Sequence, residues 1–314
     1  MAFLELVSTP ENPVPEGAVV ASVKTQDGVS LRAMRLVRGR SRGTVVILGG
    51  RGDFLERYFE TARDLVQRGY SVAALDVRGQ GGSDRLLRNA MRGHVRSFEQ
   101  HDEDLRAFMT QVVLPDCPPP YYAIGHSTGG LVLFRALQSR TWFSRAVAVA
   151  PLFEVQYGAW PRSVARVLTA LAVAFGFGGM FLPGQKKGPL GRNDFDGNPL
   201  TLDRERWNRD SAVLEAEPRL GTGAPTFAWL DASFKAFRKL KRMRRGTALR
   251  CPLLIVAAGL ERVVDNEAIR EIAGKVSGVS LVFVRESLHE VLTERSEVRE
   301  QFLAAFDAFV PGPK

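Results

Sequence analysis

Ser127 lies at the centre of Gly125-His126-Ser127-Thr128-Gly129, a G-x-S-x-G pentapeptide between an apolar run at 121–124 and a helical stretch at 131–137. A turn of this kind is so sharp that the serine backbone is strained and side chains two positions to either side would clash, so glycine is needed at both. It also lifts the hydroxyl off the sheet and aims the N–H of the next residue, Thr128, at a reacting carbonyl oxygen. A serine hydroxyl is a poor nucleophile until an imidazole takes its proton, and that imidazole must be oriented by a carboxylate. Of the four histidines only His289 follows Ser127 in the chain, in a short loop after a strand-like run at 279–284. His289 is therefore the candidate general base, whereas His126 is expected to be structural or to line the substrate pocket. The pentapeptide by itself also fits a glycine-rich turn with a capping serine; the strand-turn-helix context favours chemistry.

The carboxylate should project just past the strand that precedes the histidine's own, at 253–257. Gly259-Leu260-Glu261-Arg262-Val263-Val264-Asp265-Asn266 follows it. Glu261, at the end of the strand, is the favoured acid. Asp265 is better explained as the N-cap of the next helix and is the runner-up. A second oxyanion donor is expected in Gly49-Gly50-Arg51-Gly52-Asp53-Phe54, where Gly50 lets the backbone approach a bound carbonyl and the Arg51 N–H can donate to it. Gly50 and His126 are thus expected against the substrate. Neither this loop nor Arg78-Gly79-Gln80-Gly81-Gly82-Ser83 matches a phosphate-binding or dinucleotide pattern. The chemistry these residues suit is two-step acyl transfer, needing no cofactor and no metal.

Such a constellation needs a sheet to hold it. Short β-branched runs alternate with amphipathic helical stretches, the pattern of an α/β protein with a mostly parallel central sheet flanked by helices. The runs at 18–25 and 29–37 suggest an antiparallel pair around Asp27-Gly28; strands follow at 44–48, 70–75, 121–124 and 146–150, with helices near 55–66 and 98–113. After Pro151 the rhythm stops for nearly a hundred residues and resumes with a strand at 253–257, a helix at 266–276, a strand at 279–284 and a closing helix ending near Phe309. The chain is accordingly divided into a core at 1–151, a helical cap at 152–246 and the rest of the core at 247–314. The cap is expected over the C-terminal edge of the sheet, where open α/β sheets bind ligands.

With 314 residues, 45% hydrophobic and 25% charged, the chain is of ordinary globular composition, with irregularity expected only near its ends, as at Pro311-Gly312-Pro313. Cys117 and Cys251 make no disulfide framework or metal spacing, which fits a reducing compartment. No basic start and long apolar run open the sequence, and the most apolar stretch, 167–182, is short of the roughly 18–20 residues a spanning helix needs. A cytoplasmic protein is expected, with contact at the inner face of the membrane left open.

Several further pieces run in order along the chain: Gly50-Arg51 with Phe54 and Arg57-Tyr58, Leu75-Asp76-Val77-Arg78-Gly79-Gln80-Gly81 with Ser83, Gly93-His94 with Ser97-Phe98, the pentapeptide, Glu261 to Asp265, and His289-Glu290-Val291-Leu292. Together they resemble the monoacylglycerol lipase and bacterial lysophospholipase branch of the α/β-hydrolase fold, over about residues 45–294. The resemblance implies a hydrolase of mono-acyl glycerolipids with Ser127, Glu261 and His289 as its triad. Two departures stand out: Gly49-Gly50 where many relatives carry His-Gly, and Glu261 where monoacylglycerol lipases usually carry Asp. An acyltransferase using the same serine, or a catalytically silent lipid-binding protein, would share the pattern.

The net charge of +9 is concentrated in Lys235, Arg238, Lys239, Lys241, Arg242, Arg244 and Arg245, with no acid among them. Phe234, Phe237 and Leu240 recur at helical spacing within this stretch, so a basic amphipathic helix suited to an anionic membrane surface is expected. A plain solvated face is the commoner explanation of such a run. No nucleic-acid motif accompanies it. Trp160, Trp207 and Trp229 fall in the cap and would wall an acyl site, or simply hold the insertion together.

Overall fold

Eight strands form one sheet in the order β1-β2-β4-β3-β5-β6-β7-β8 in the computed structural model, which describes residues 2–156, 161–184, 188–189 and 195–310. β1 (Val19–Lys24) and β2 (Ser30–Leu36) are antiparallel, and β2 is antiparallel to β4 (Ser71–Leu75). From β4 through β3 (Thr44–Leu48), β5 (Tyr121–His126), β6 (Arg145–Val149), β7 (Thr247–Ala258) and β8 (Val276–Val284) every neighbour is parallel. Thr-Val-Val-Ile-Leu in β3 and Ser-Val-Ala-Ala-Leu in β4 are buried at every position. That is what a parallel strand covered on both faces requires.

Helices supply the cover. On one face α2 (Phe98–Phe108), α4 (Thr128–Leu137), α7 (Phe227–Lys241) and α8 (Asn266–Lys275) pack their apolar sides into a single core. On the other, α1 (Phe59–Gln67) and α9 (Ser296–Phe309) pack against Val45, Ile47, Ile124 and Val256. The expected helix at 98–113 is α2 followed by a wider π turn at Met109–Val113 and the single turn α3 (Leu114–Asp116). β7 begins six residues before the expected 253. Its register shifts between Ala248 and Leu253, where Pro252 has no N–H to offer the ladder.

Between β6 and β7 the chain leaves the sheet to form α5 (Arg162–Ala174), α6 (Arg204–Ala216) and α7. Here one expectation is corrected. Phe234, Phe237 and Leu240 of α7 are at most 5% exposed and belong to the central core, so the basic segment has no free apolar face with which to enter a membrane. Its charges are partly matched as well: Lys235 pairs with Asp231, Lys239 with Glu99 and Lys241 with Glu154. Trp160 and Pro311-Gly312-Pro313 lie outside the described residues.

Charged clamps tie the loops to this frame. Arg32 of β2, wholly buried, donates to both oxygens of Glu56 at 2.8 Å and to Asp76 Oδ2 at 2.7 Å, joining the ends of β2 and β4 to the turn before α1. Glu60 of α1 accepts from Arg206 and Arg209 of α6 and from Arg299 of α9, at 2.5–3.0 Å. Burial alone would raise the Glu60 carboxyl, but Arg206, Arg299 and Arg209 draw it down to about 2. A carboxyl that titrates lower in the folded than in the unfolded chain contributes its stability above the unfolded value and loses it as pH falls. Glu60→Gln is therefore expected to cost about 1–3 kcal/mol at pH 7. In denaturant titrations the gap from wild type should close between pH 4.5 and about 2; a gap that does not depend on pH would contradict the clamp.

Candidate active site

The turn from β5 into α4 places Ser127 at φ +50° and ψ −112°, a left-handed conformation that a side-chain-bearing residue adopts at a cost of about 1–3 kcal/mol. The surrounding chain holds it there. Ser127 N–H donates to the Val149 carbonyl at 2.9 Å, and the Ser127 carbonyl accepts from Leu131 at 3.1 Å and Leu152 at 2.9 Å. A Cβ at Gly129 would stand 2.1 Å from the Leu48 carbonyl oxygen, and one at Gly125 2.6 Å from the Gly129 oxygen. Only hydrogen fits at either position, so β5, the turn and the end of β3 close on one another.

Three distant stretches meet above this turn. The loop after β8 brings His289 Nε2 to 2.9 Å from Ser127 Oγ, and the loop after β7 brings Glu261 Oε2 to 2.8 Å from His289 Nδ1. The other Glu261 oxygen, Oε1, accepts the N–H groups of Arg262, Val263 and Val264 at 2.9, 2.7 and 3.2 Å. Burial would push this carboxyl up, but the His289 hydrogen bond and the Val263 and Val264 N–H groups outweigh it and hold its pKa below the ordinary value. Such an arrangement can pass a proton from hydroxyl to imidazole and steady the resulting imidazolium. Asp265 makes no contact with His289. It caps α8, accepting the Glu267 N–H at 2.9 Å, and pairs with Arg162 at 2.6 Å.

The loop after β3 lies alongside. A Cβ on Gly50 would fall 3.2 Å from Ser127 Cβ and 2.9 Å from His126 Nδ1, so glycine is what lets this loop come close. Asp53 and Gln80 brace it: Asp53 Oδ2 accepts from the Gly50 N–H and the Tyr58 hydroxyl, each at 2.5 Å, while Gln80 donates to the Gly50 carbonyl at 3.2 Å and accepts the Gly52 N–H. Among the described residues the N–H groups of Arg51 and Thr128 have no protein acceptor, and the buried Thr128 hydroxyl also lacks a partner. Gln80 could not be singled out from sequence, because its motif is glycine-rich for the turn and nothing local marks the side chain as a brace.

His126 is buried, with Nδ1 3.5 Å from Asp53 and Nε2 3.3 Å from the His289 carbonyl. Burial pulls its pKa down, but Glu290 and Asp53 raise it to about 9. Asp53, His126 and Glu290 lie close enough to share a cation. Arg57 already stands there, ion-paired with Asp53, with Asp210 at 2.9 Å and with Glu290 at 3.3 Å.

A cavity of about 550 Å³ opens in front of Ser127, within the size range of small-molecule sites. Leu152, Val155, Leu182, Leu200, Trp207, Leu214, Trp229 and Leu230, all from the segment between β6 and β7, give it apolar walls. Its polar lining includes Gly50, Arg51, Arg57, His126, Thr128, Asp210, Arg262 and Glu290.

The family model described as serine aminopeptidase, S33, matches residues 39–296. Lysophospholipase L2 of Escherichia coli is 32% identical over 294 residues, covering 90% of this chain and 84% of that protein. Monoacylglycerol lipase of Mycolicibacterium smegmatis is 27% identical over 261 residues, covering 81% and 83%. A solved structure of a soluble variant of monoglyceride lipase from Saccharomyces cerevisiae, in complex with a substrate analog, superposes with a TM-score of 0.71 at 15% identity, covering 93% and 95%. The sheet, its flanking helices and this likeness make the fold that of the α/β-hydrolases.

The two nearby carboxylates should separate in steady-state kinetics. Glu261→Gln, which loses the charge facing His289, is expected to lower kcat about a hundredfold or more with little change in melting temperature. Asp265→Asn keeps a competent cap and should stay within about threefold of wild type. The opposite order would give the acid's role to Asp265.

Proposed function

This chain belongs to the serine aminopeptidase S33 family, and from that premise we propose that it hydrolyses the carboxylic ester of mono-acyl glycerolipids through an acyl-enzyme on Ser127. The observation that carries the reading is the continuous hydrogen-bonded path from Glu261 through His289 to Ser127 at the wall of an apolar cavity. Ser127 Oγ attacks the ester carbonyl while His289 Nε2 takes its proton and Glu261 steadies the imidazolium. The free N–H groups of Arg51 and Thr128 receive the oxyanion. His289 then protonates the departing glycerol oxygen, and a water deprotonated by the same imidazole releases the fatty acid.

The acyl chain is assigned to the apolar walls, where each methylene removed from water contributes about 0.8 kcal/mol. Residues 152–246 are inserted between two parts of the core, 1–151 and 247–314, and the portion ahead of α7 acts as the cap. A peptide substrate with a free amino end would need an unpaired carboxylate in the cavity. Asp210 and Glu290, the acids that line it, are both engaged by Arg57, and this favours esters. Cys117 and Cys251 are buried free thiols, each pushed up by burial to about 11, in keeping with a cytoplasmic setting.

Membrane contact is assigned to α5 rather than to the basic segment alone. Val164, Val167, Leu168 and Leu171 follow one another at helical spacing, all exposed, and lead to Phe175, which is 74% exposed. Arg166, Lys235 and Arg238 lie with Asp231 in the groove between α5 and α7, which this face meets at Val167. Among the described residues no helix is long and apolar enough to cross a membrane, so the contact proposed is peripheral.

Two experiments test these assignments. Wild type should release fatty acid from monoacylglycerols or lysophospholipids, form a covalent adduct with a fluorophosphonate, and lose both properties on Ser127→Ala. Acyl transfer to added glycerol in preference to water would make it an acyltransferase, absence of labelling a silent binder, and turnover of aminoacyl p-nitroanilides alone a peptidase. Sedimentation with phosphatidylglycerol vesicles should fall about tenfold when Leu168→Asp and Leu171→Asp are combined, with turnover of a water-soluble ester retained; wild type that stays in the supernatant would remove the membrane contact.

A further inference from the structure

Arg51 and Arg57 lie on the same loop side of the cavity and meet opposite fates. Arg57 is held by three carboxylates, those of Asp53, Asp210 and Glu290. The Arg51 guanidinium donates through Nη1 to the Gly223 carbonyl at 2.9 Å and lies over the Trp229 ring, 5.5 Å from its centroid. Among the described residues no carboxylate pairs with it. The nearest acid in the loop, Asp53, is already occupied by Arg57, Tyr58 and the Gly50 N–H. Burial lowers the Arg51 pKa and the nearby Asp53 charge partly restores it, leaving it at about 10, so the group is cationic at neutral pH.

A guanidinium carries five N–H donors, and one of those on Arg51 has a protein acceptor. The Gly223 carbonyl and the Trp229 ring hold the guanidinium at the cavity that Arg51 lines, and its other donors have no protein acceptor among the described residues. Holding a cation partly out of water without a counter-ion is unfavourable, and an anionic ligand reverses that penalty. Arg262, exposed at the same cavity, likewise has no ion pair among the described residues. The site thus offers two guanidiniums with no acid assigned to them, beside a serine at which an ester carbonyl would sit.

We propose that Arg51, assisted by Arg262, forms a subsite for a phosphate group carried on the glycerol of the substrate. The inference rests on the reading of Ser127 as the nucleophile of a mono-acyl glycerolipid hydrolase and names the head group that reading leaves open. The reach is suitable. From its N–H to its guanidinium carbon Arg51 spans the same number of bonds as a 1-acyl glycerophospholipid does from scissile carbonyl to phosphorus. With the Arg51 N–H on the oxyanion, its side chain can therefore lie along the glycerol and meet the phosphate with two parallel N–H donors, the arrangement that arginine forms best. A neutral monoacylglycerol would leave both cations unmatched.

The test compares lysophosphatidylglycerol and monoacylglycerol of the same acyl chain on wild type, Arg51→Met and Arg262→Ala. Arg51→Met keeps the backbone donor and much of the stem. It should lower the ratio of kcat/KM for the phospholipid to that for the neutral lipid by about tenfold or more, chiefly through KM, and Arg262→Ala should lower the ratio about threefold. Equal loss on both substrates, or an unchanged ratio, would overturn the subsite. If wild type hydrolyses neither lipid, the lipid reading fails separately. The subsite is then judged by inhibition of p-nitrophenyl butyrate turnover: glycerol 3-phosphate should compete with wild type and about tenfold less well with Arg51→Met, while glycerol and inorganic phosphate compete weakly. Inhibition by glycerol 3-phosphate that the substitution does not alter, or inorganic phosphate competing as well as glycerol 3-phosphate, would overturn it.

Discussion

The close approach of three pieces of backbone at Gly125, Gly129 and Leu48 is the constraint from which the site follows. Because no Cβ fits between the Leu48 carbonyl and Gly129, α4 can start directly beneath the end of β3, and Ser127 is forced into a left-handed turn at the rim of the sheet. Relaxing that turn would swing the hydroxyl away from His289. The strain is borne by hydrogen bonds to Val149, Leu131 and Leu152, which come from the next strand, the helix and the chain leaving the sheet. Position and conformation of one residue are thus set by elements that are themselves set by packing in the core.

Charge is sorted around this turn with the same economy. Arg32 neutralises Glu56 and Asp76 beneath the loops, and Asp53 anchors the loop after β3 while facing Arg57 and His126. Burying ions in this way gives little net stability compared with a well-packed apolar alternative, but removing one partner leaves the others stranded. What the clamps provide is geometry. The loop from Gly50 to Gly52 stays beside Ser127 because Asp53 takes the Gly50 N–H while Gln80 takes the Gly52 N–H and reaches the Gly50 carbonyl.

Much of this was legible in the sequence, for physical reasons that differ by residue. The glycines of the pentapeptide speak through sterics that act within a few residues, and His289 through its being the sole histidine after Ser127. The choice between Glu261 and Asp265 could be argued because a helix start wants a capping carboxylate, and Asp265 does cap α8. The network around Arg57 could not be read, since its partners Asp210 and Glu290 are 153 and 233 residues away. The segment at 235–245 misled for the opposite reason: its basic residues and periodic aromatics are the same whether the apolar face meets lipid or a protein core, and only the tertiary packing of Phe234, Phe237 and Leu240 decides. Likewise the early start of β7 is hidden by Pro252, a residue that argues against a strand although the ladder simply skips it.

That α7 shares its core with β3, β5 and α4 has a bearing on how such a protein can be rebuilt. The insertion is not a detachable hat: its last helix is a structural wall of the sheet, whereas α5 and α6 stand outside that wall. Exchanging everything between β6 and β7 with a relative would pull out the wall along with the roof. A graft that ends before Thr226, the residue that caps α7, would alter the cavity's upper lining and leave the foundation intact. Chemical versatility in this architecture therefore has a natural seam, and it runs just ahead of α7.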